Sequence, residues 1–119
     1  MEAVNLHDKF AMFSDHWSPK IVGRLNDLHL KAVKLKGEFV WHAHVDTDEL
    51  FLVIRGSLTI KLRDRDIAVN AGEFFVVPKG VEHKPVAAEE CQVLLIEPAG
   101  TVNTGDAGGP LMATSEPWI

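Results

Sequence analysis

Four side chains of the kinds that bind metals lie close together in the central part of the sequence. His42 and His44 are two residues apart in the stretch WHAHVDTDEL, and Glu49 follows five residues after the second histidine. Residues two apart share one face of a β-strand, whereas on a helix they diverge by about 200 degrees. The run EFVWHAHV is typical of a strand, so both imidazoles are predicted to point the same way. A hairpin through VDTD would bring Glu49 beside them, and His83 in PKGVEH is the candidate fourth ligand.

Imidazole and carboxylate ligands together favour a divalent transition metal, such as Fe, Mn, Ni, Co, Cu or Zn. Calcium is disfavoured because it prefers shells made only of oxygen atoms. A His-x-His pair alone also occurs by chance, and a single histidine on a strand is more often a hydrogen-bonded structural residue. The metal interpretation therefore depends on whether all four residues meet.

Short apolar runs, separated by Gly, Pro, Asn and Asp, make up most of the sequence between residues 20 and 98. Runs such as ELFLVIRG, SLTIKLR and CQVLLIE recur at intervals of roughly eight to twelve residues. This pattern predicts an all-β sandwich or barrel. The basic run KAVKLKG alternates Lys with apolar residues and is interpreted as the solvent-facing side of a strand.

A chain of 119 residues is expected to form one domain. The spacing of Leu6, Phe10 and Phe13 predicts a short amphipathic helix, so residues 1–19 are interpreted as a helical extension. Residues 20–98 form the predicted barrel. Residues 99–119, rich in Gly, Thr, Asn and Pro, are expected to be a loosely ordered C-terminal tail.

The sequence resembles the cupins, whose first motif is Gly, five residues, His-x-His, three or four residues, Glu, six residues, Gly. This chain has Gly37, four residues, His42 and His44, four residues, Glu49, six residues and Gly56. The first spacer is one residue shorter than in the family pattern. The departure does not involve a candidate ligand.

The second cupin motif is Gly, five residues, Pro-x-Gly, two residues, His, three residues, Asn. This chain has Gly72, Pro78, Gly80 and His83 at those spacings, with Ala87 in place of the Asn. Fifteen residues separate the two motifs, as in small single-domain cupins. The resemblance implies a cupin barrel, which is a double-stranded β-helix or jelly roll.

The resemblance also implies that one divalent transition metal is held by His42, His44, Glu49 and His83. Two open positions on an octahedral ion would accept substrate, water or dioxygen, which is typical of a catalytic site. The expected function is a metalloenzyme that acts on a small metabolite, either dioxygenase-like or isomerase-like. The alternative is a non-catalytic module that binds a metabolite or a metal, because no second inward acid or base is evident from the sequence.

Strand alternation predicts the residues around this centre. Val40 shares the face of the histidine pair, Phe51 and Val53 share that of Glu49, and Val81 shares that of His83. These residues predict a mostly apolar pocket for a small molecule. The opposite faces of the same strands are also apolar and need cover. A second sheet of the barrel, the N-terminal helix or a second subunit could supply it, and a homodimer is the favoured expectation.

The formal net charge of -5 argues against nucleic acid or an anionic membrane as a partner, because both require clustered Lys and Arg. The single cysteine, Cys91, allows no disulfide within the chain. The N-terminal residues lack the basic and apolar regions of a signal peptide, and no apolar run is long enough to span a bilayer. A cytoplasmic location is expected.

Overall fold

The computed structural model describes residues 1–119 and contains one helix and seven strands. The elements are α1 (Leu6–Phe10), β1 (Lys20–Leu25), β2 (Leu28–Glu38), β3 (Glu49–Arg55), β4 (Ser57–Leu62), β5 (Asp66–Asn70), β6 (Phe74–Val77) and β7 (His83–Pro98). The helix begins where the Asn5 side chain accepts a hydrogen bond from the Asp8 N–H at 3.1 Å. At five residues it is much too short to cross a membrane, and no other helix is present.

The strands form an antiparallel barrel of the cupin type, with the order β1-β2-β7-β3-β6 and with β4 between β7 and β5. The 16-residue β7 is the central strand, since it pairs with β2 along most of its length and also with β4 and β3. The predicted run CQVLLIE and the part of VEHKPV from His83 on are continuous in β7, because the residues AAEE between them supply no turn.

The interior of the barrel follows the alternation of the strands. Phe51 and Val53 of β3 and Val93 of β7 are buried in one apolar core of 14 residues. The outer face of β2 and β7 is covered by α1, whose Phe10 is buried against Ala32 and Leu94. The helix therefore covers part of the apolar outer face of β2 and β7.

Residues 99–119, expected to form a loosely ordered tail, pack against one end of the barrel. Asn103 is buried, and its Nδ2 donates to the carbonyl oxygens of Trp17 at 3.1 Å and Leu111 at 3.0 Å. At the end of the chain, the Ile119 N–H donates to the Ile21 carbonyl oxygen at 3.1 Å. We call residues 99–119 the C-terminal strap.

Candidate metal centre

The segment 39–48, which carries the histidine pair, is not the regular strand that its sequence predicts. His42 and His83 form a single antiparallel bridge, in which each backbone N–H donates to the other's carbonyl oxygen at 3.0 and 2.9 Å. The strap supplies the next contact, because the Ala43 N–H donates to Asp106 Oδ1 at 2.9 Å. The strand prediction was wrong because these backbone groups bind partners from β7 and the strap instead of one neighbouring strand.

All four candidate ligands nevertheless meet at one point. His42, His44, Glu49 and His83 each offer one ligand atom, and these atoms lie within 4.8 Å of one another. All four side chains are buried, with exposed fractions between 0 and 7%. Glu49 and His83 are the first residues of β3 and β7, so the start of each strand fixes their positions. A cluster of this composition could hold a metal ion.

Two backbone carbonyls orient the rings of this cluster. Nδ1 of His42 lies 2.9 Å from the Val40 carbonyl oxygen, and Nδ1 of His83 lies 2.9 Å from that of Val81. A carbonyl oxygen only accepts, so each Nδ1 must carry the proton, which leaves the Nε2 lone pair free to bind a metal. Val40 and Val81, expected as pocket walls, thus contribute their carbonyl oxygens to the site.

Three polar atoms at the centre are buried without a hydrogen-bond partner: His44 Nε2, Glu49 Oε1 and His83 Nε2. The two nitrogens lie 3.2 and 3.5 Å from the carboxylate oxygen, near enough to act on its charge although neither makes a well-aligned hydrogen bond to it. Buried polar atoms in folded proteins nearly always have a partner. A cation among these atoms would satisfy all three, so the residues fit a divalent metal.

Electrostatics also favour the forms that bind metal. Burial, with nearby His83 adding repulsion, lowers the pKa of His42 to about 4, so its imidazole stays neutral in the physiological range. Burial works to raise the pKa of Glu49, but the imidazoles of His44 and His83 outweigh it and hold that pKa well below its usual range. Metal binding requires neutral imidazole and ionised carboxylate, and the shifts of His42 and Glu49 favour those forms.

Sequence reasoning missed a second ionisable group beside the cluster. Lys31, assigned to a solvent-facing side of the strand, is fully buried inside the barrel, and its Nζ donates to Glu97 Oε1 at 2.9 Å and Glu116 Oε1 at 2.6 Å. That interpretation was wrong for Lys31, because it lies on the same face of β2 as buried Val33. Glu97 could have been found from the sequence, since it shares the face of Val93 in CQVLLIE.

Glu97 is the inward acid that the sequence did not reveal. Burial and the neighbouring Glu49 carboxylate raise the pKa of Glu97 well above its ordinary value, against the opposing effect of Lys31. Burial works to lower the pKa of Lys31, but Glu97 and Glu116 raise it overall. Because Glu116 also pairs with the ammonium, Lys31 stays charged even where Glu97 holds a proton.

The space next to the cluster is small and mostly apolar. A chamber of about 30 Å³ is bounded by His42 and Glu49 and by the aromatic rings of Trp17, Phe39 and Phe51. Val53, also expected to line the pocket, is completely buried in the core beyond it.

A larger cleft opens on the other side of the histidine pair. It has a volume of about 420 Å³ and lies between the segment from Ala43 to Thr47 and the strap. Among the four candidate ligands, only His44 borders it. The cluster thus faces two spaces of very different size.

Known proteins share these features of sequence and structure. The chain is 35% identical over 83 residues to the uncharacterised protein YdbB of Bacillus subtilis (strain 168), an alignment that covers 69% of this chain and 67% of that protein. It is 54% identical to a cupin-2 domain protein of Shewanella frigidimarina, with a TM-score of 0.80 and coverage of 81% of this chain and 94% of that one. A Neisseria meningitidis protein is 31% identical, with a TM-score of 0.76 and coverage of 82% and 100%.

Residues 30–97 match the sequence profile of the cupin domain. The matched region runs from β2 through β7 and contains all four clustered residues. Because this region matches the cupin domain and the chain is 54% identical to the cupin-2 domain protein, the chain belongs to the cupin domain family.

Proposed function

We propose that this cupin binds one divalent transition metal per chain through His42, His44, Glu49 and His83, and that it acts on a small metabolite. The observation that carries the proposal is the set of buried ligand atoms without hydrogen-bond partners. Four ligands from the chain leave two positions of an octahedral ion open, as in catalytic sites. The reaction is of the dioxygenase-like or isomerase-like type.

The chain's own residues supply the rest of the chemistry. A bound divalent ion would contribute Lewis acidity or redox chemistry at its open positions. The apolar chamber excludes bulk water. The pKa of Glu97, raised by burial and by the Glu49 carboxylate, suits this side chain to exchange a proton beside the cluster. Lys31 keeps the Glu97 carboxyl group in place through the 2.9 Å hydrogen bond.

The second candidate function is a non-catalytic module that binds a metal or a metabolite. The small volume of the chamber, about 30 Å³, favours it, because a metabolite of ordinary size does not fit beside His42 and Glu49 as they stand. Turnover of a substrate by the metal-loaded protein would exclude this alternative.

The first experiment is elemental analysis of untagged protein, followed by oxygen consumption after anaerobic loading with Fe(II). One metal per chain is expected in the wild type. His44→Ala is expected to lose stoichiometric metal while keeping the β-sheet circular dichroism spectrum. His16→Ala is the matched control, since His16 is outside the cluster and pairs with Glu90 at 2.8 Å. Metal retained in His44→Ala, or no metal in the loaded wild type, would refute the site.

We also propose that the protein forms a homodimer through the exposed edge of the barrel at β6. Phe74 and Val76 of this strand are 63% and 38% exposed, which is unusual for large apolar side chains on a sheet. They pair in register with Leu52 and Leu50 of β3, so the apolar surface continues across two strands. A second copy would cover this surface and the strand edge.

A further inference from the structure

Trp17 has a backbone conformation that side-chain-bearing residues rarely adopt. Its φ is 59°, and the only other non-glycine residue with a positive φ is Asn26. This conformation is strained for a residue with a Cβ. Hydrogen bonds on every side hold Trp17 there: its N–H donates to the Lys34 carbonyl oxygen at 3.0 Å, and its indole Nε1 donates to that of Lys36 at 3.0 Å. The surrounding chain therefore enforces one position of the indole.

The enforced position connects the protein surface to the candidate metal ligands. The Trp17 indole stacks on Phe39, with ring centroids 4.6 Å apart and planes at 19°. Phe39 in turn meets the His42 ring edge to face, at 5.3 Å and 86°. The strap holds Trp17 from the other side, because Asn103 Nδ2 donates to the Trp17 carbonyl oxygen at 3.1 Å. Trp17, Phe39 and Asn103 all border the chamber that His42 and Glu49 face.

The volume of the chamber limits what can lie beside the metal position. A cavity needs a volume of roughly 10–15 Å³ to hold one water molecule. The chamber of about 30 Å³ therefore has room for about two waters. A ligand of two or three heavy atoms fits this space, and a five-membered ring does not. The indole of Trp17 is the largest side chain among the walls, and the residue as a whole is 9% exposed. It is therefore the wall whose removal would open the chamber.

We propose that Trp17 is the residue that determines specificity at this site, by limiting the ligands that bind the metal to about three heavy atoms. The inference rests on the proposed metal function and adds to it the size of the ligand that can bind the metal and the residue that sets this size. Two candidate ligands, His42 and Glu49, border the chamber, whereas only His44 borders the larger cleft. A metal held by these residues would therefore meet added ligands on the side of the chamber.

The test uses the full chain loaded with Co(II), whose visible absorption bands change when an added ligand coordinates. Azide, with three heavy atoms, and imidazole, with five, are titrated into the wild type and into Trp17→Ala. In the wild type, imidazole is expected to bind at least about tenfold more weakly than azide, as steric exclusion from a fixed pocket predicts. In Trp17→Ala, imidazole affinity is expected to rise at least about tenfold, while azide affinity changes by less than about threefold.

Two further variants keep the result decisive. Trp118→Ala removes an exposed indole of the strap outside the chamber and is expected to behave as the wild type. If Trp17→Ala does not fold, Trp17→Phe keeps an aromatic ring against Phe39 and is expected to give an intermediate gain for imidazole.

The outcomes separate this inference from the function on which it rests. Cobalt bound by the wild type with equal affinity for azide and imidazole would overturn the inference alone, because ligands would then reach the metal through the cleft beside His44. The same conclusion follows if folded Trp17 variants leave imidazole binding unchanged. A wild type that binds no cobalt at all would overturn the proposed metal function and the inference together.

Discussion

Gly105 lies where the strap passes close to the histidine cluster. Its φ is +55°, and a Cβ built there would clash with the Ala43 carbonyl oxygen and lie 3.1 Å from His42 Cδ2. Neither neighbour can yield easily, because the Ala43 backbone is hydrogen-bonded to the strap and His42 is part of the bridge to His83. The absence of a side chain at residue 105 therefore permits the strap to close over His42.

Gly105→Ala is expected to lower the free energy of unfolding by more than about 2 kcal/mol, because it combines backbone strain with a clash against backbone. Gly108→Ala is the matched control, since its φ is +63° and nothing lies within 4 Å of the added Cβ. The control should lose only about 1 kcal/mol, the cost of the left-handed conformation alone. Urea denaturation of the two variants measures the difference. Equal losses would show that the strap does not pack tightly at residue 105.

The buried imidazole of His42 makes the metal-free protein sensitive to acid. Its pKa falls from 6.5 to about 4 on folding, chiefly through burial. Above pH 6.5 neither the folded nor the unfolded chain carries this proton, so the group has no effect there. Between 6.5 and about 4 the unfolded chain takes up the proton and the folded chain does not, so stability is lost as the pH falls through that window.

We expect chelator-treated wild type to lose up to about 3 kcal/mol from this residue across the window. Urea denaturation at several pH values between those limits measures the slope. His42→Gln carries no titratable group at that position and should show a shallower loss, and the difference between the two slopes isolates His42. Identical slopes in both proteins would mean that the imidazole titrates normally in the folded chain.

At the scale of the elements, the strap is fixed to the barrel by an ion cluster as well as by backbone contacts. Lys31 of β2 bonds to Glu97 of β7 and to Glu116 of the strap, and the side chains of Lys31 and Glu97 are completely buried. Removal of the cation would leave the buried Glu97 and the half-buried Glu116 without a partner for their charge. Removing one partner of a buried ion pair typically lowers the free energy of unfolding by about 3–5 kcal/mol. Replacing both partners by well-packed apolar residues is often neutral or stabilising.

Lys31→Met should therefore lower the free energy of unfolding by about 3–5 kcal/mol. Lys61→Met is the matched control on β4, because Lys61 and Asp66 form an exposed pair at 3.4 Å, and it should cost less than about 1 kcal/mol. Lys31→Met combined with Glu97→Gln and Glu116→Gln should recover part of the loss, because no unpaired charge then remains. A Lys31→Met variant as stable as the control would show that the cluster is hydrated.

The elements that the sequence predicted well are those with a regular local pattern. The alternation in ELFLVIR gives β3 its buried Phe51 and Val53, and Glu49 falls on the same face. The four clustered residues could be found because each lies at a fixed distance from a glycine or proline turn, and such turns determine where a strand starts. The barrel and the composition of the candidate site were therefore predictable from local sequence.

The contacts that the sequence did not predict join residues far apart in the chain. Lys31 and Glu116 are separated by 85 residues, and Trp17 and Asn103 by 86. The strap sequence shows no alternation of apolar and polar residues. Nothing in its local sequence therefore predicts the hydrogen bonds that it makes to the barrel. The alternation of Lys with apolar residues in β2 wrongly predicted that Lys31 faces solvent. Its burial depends on the carboxylates of Glu97 and Glu116, which belong to β7 and the strap.

At the scale of the whole molecule, the two ends of the strand order β1-β2-β7-β3-β6 differ. β1 pairs with β2, and its outer side is joined to the strap by the bridge between Ile21 and Trp118. β6 pairs with β3 on one side only, and it is four residues long with Phe74 largely exposed. An apolar strand edge left open in this way invites pairing with another chain. The β6 edge is accordingly the surface at which we place the dimer contact.

Size-exclusion chromatography with light scattering should give a particle of about twice the 13.2 kDa chain mass for the wild type. Phe74→Glu should convert it to the monomer, because it places a charge at the centre of the apolar contact, where both copies of a twofold interface meet. Leu25→Glu is the matched control: Leu25 is 58% exposed at the end of β1, on the opposite edge, so this variant should remain dimeric. A monomeric wild type would refute the dimer, and a dimeric Phe74→Glu would move the contact away from β6.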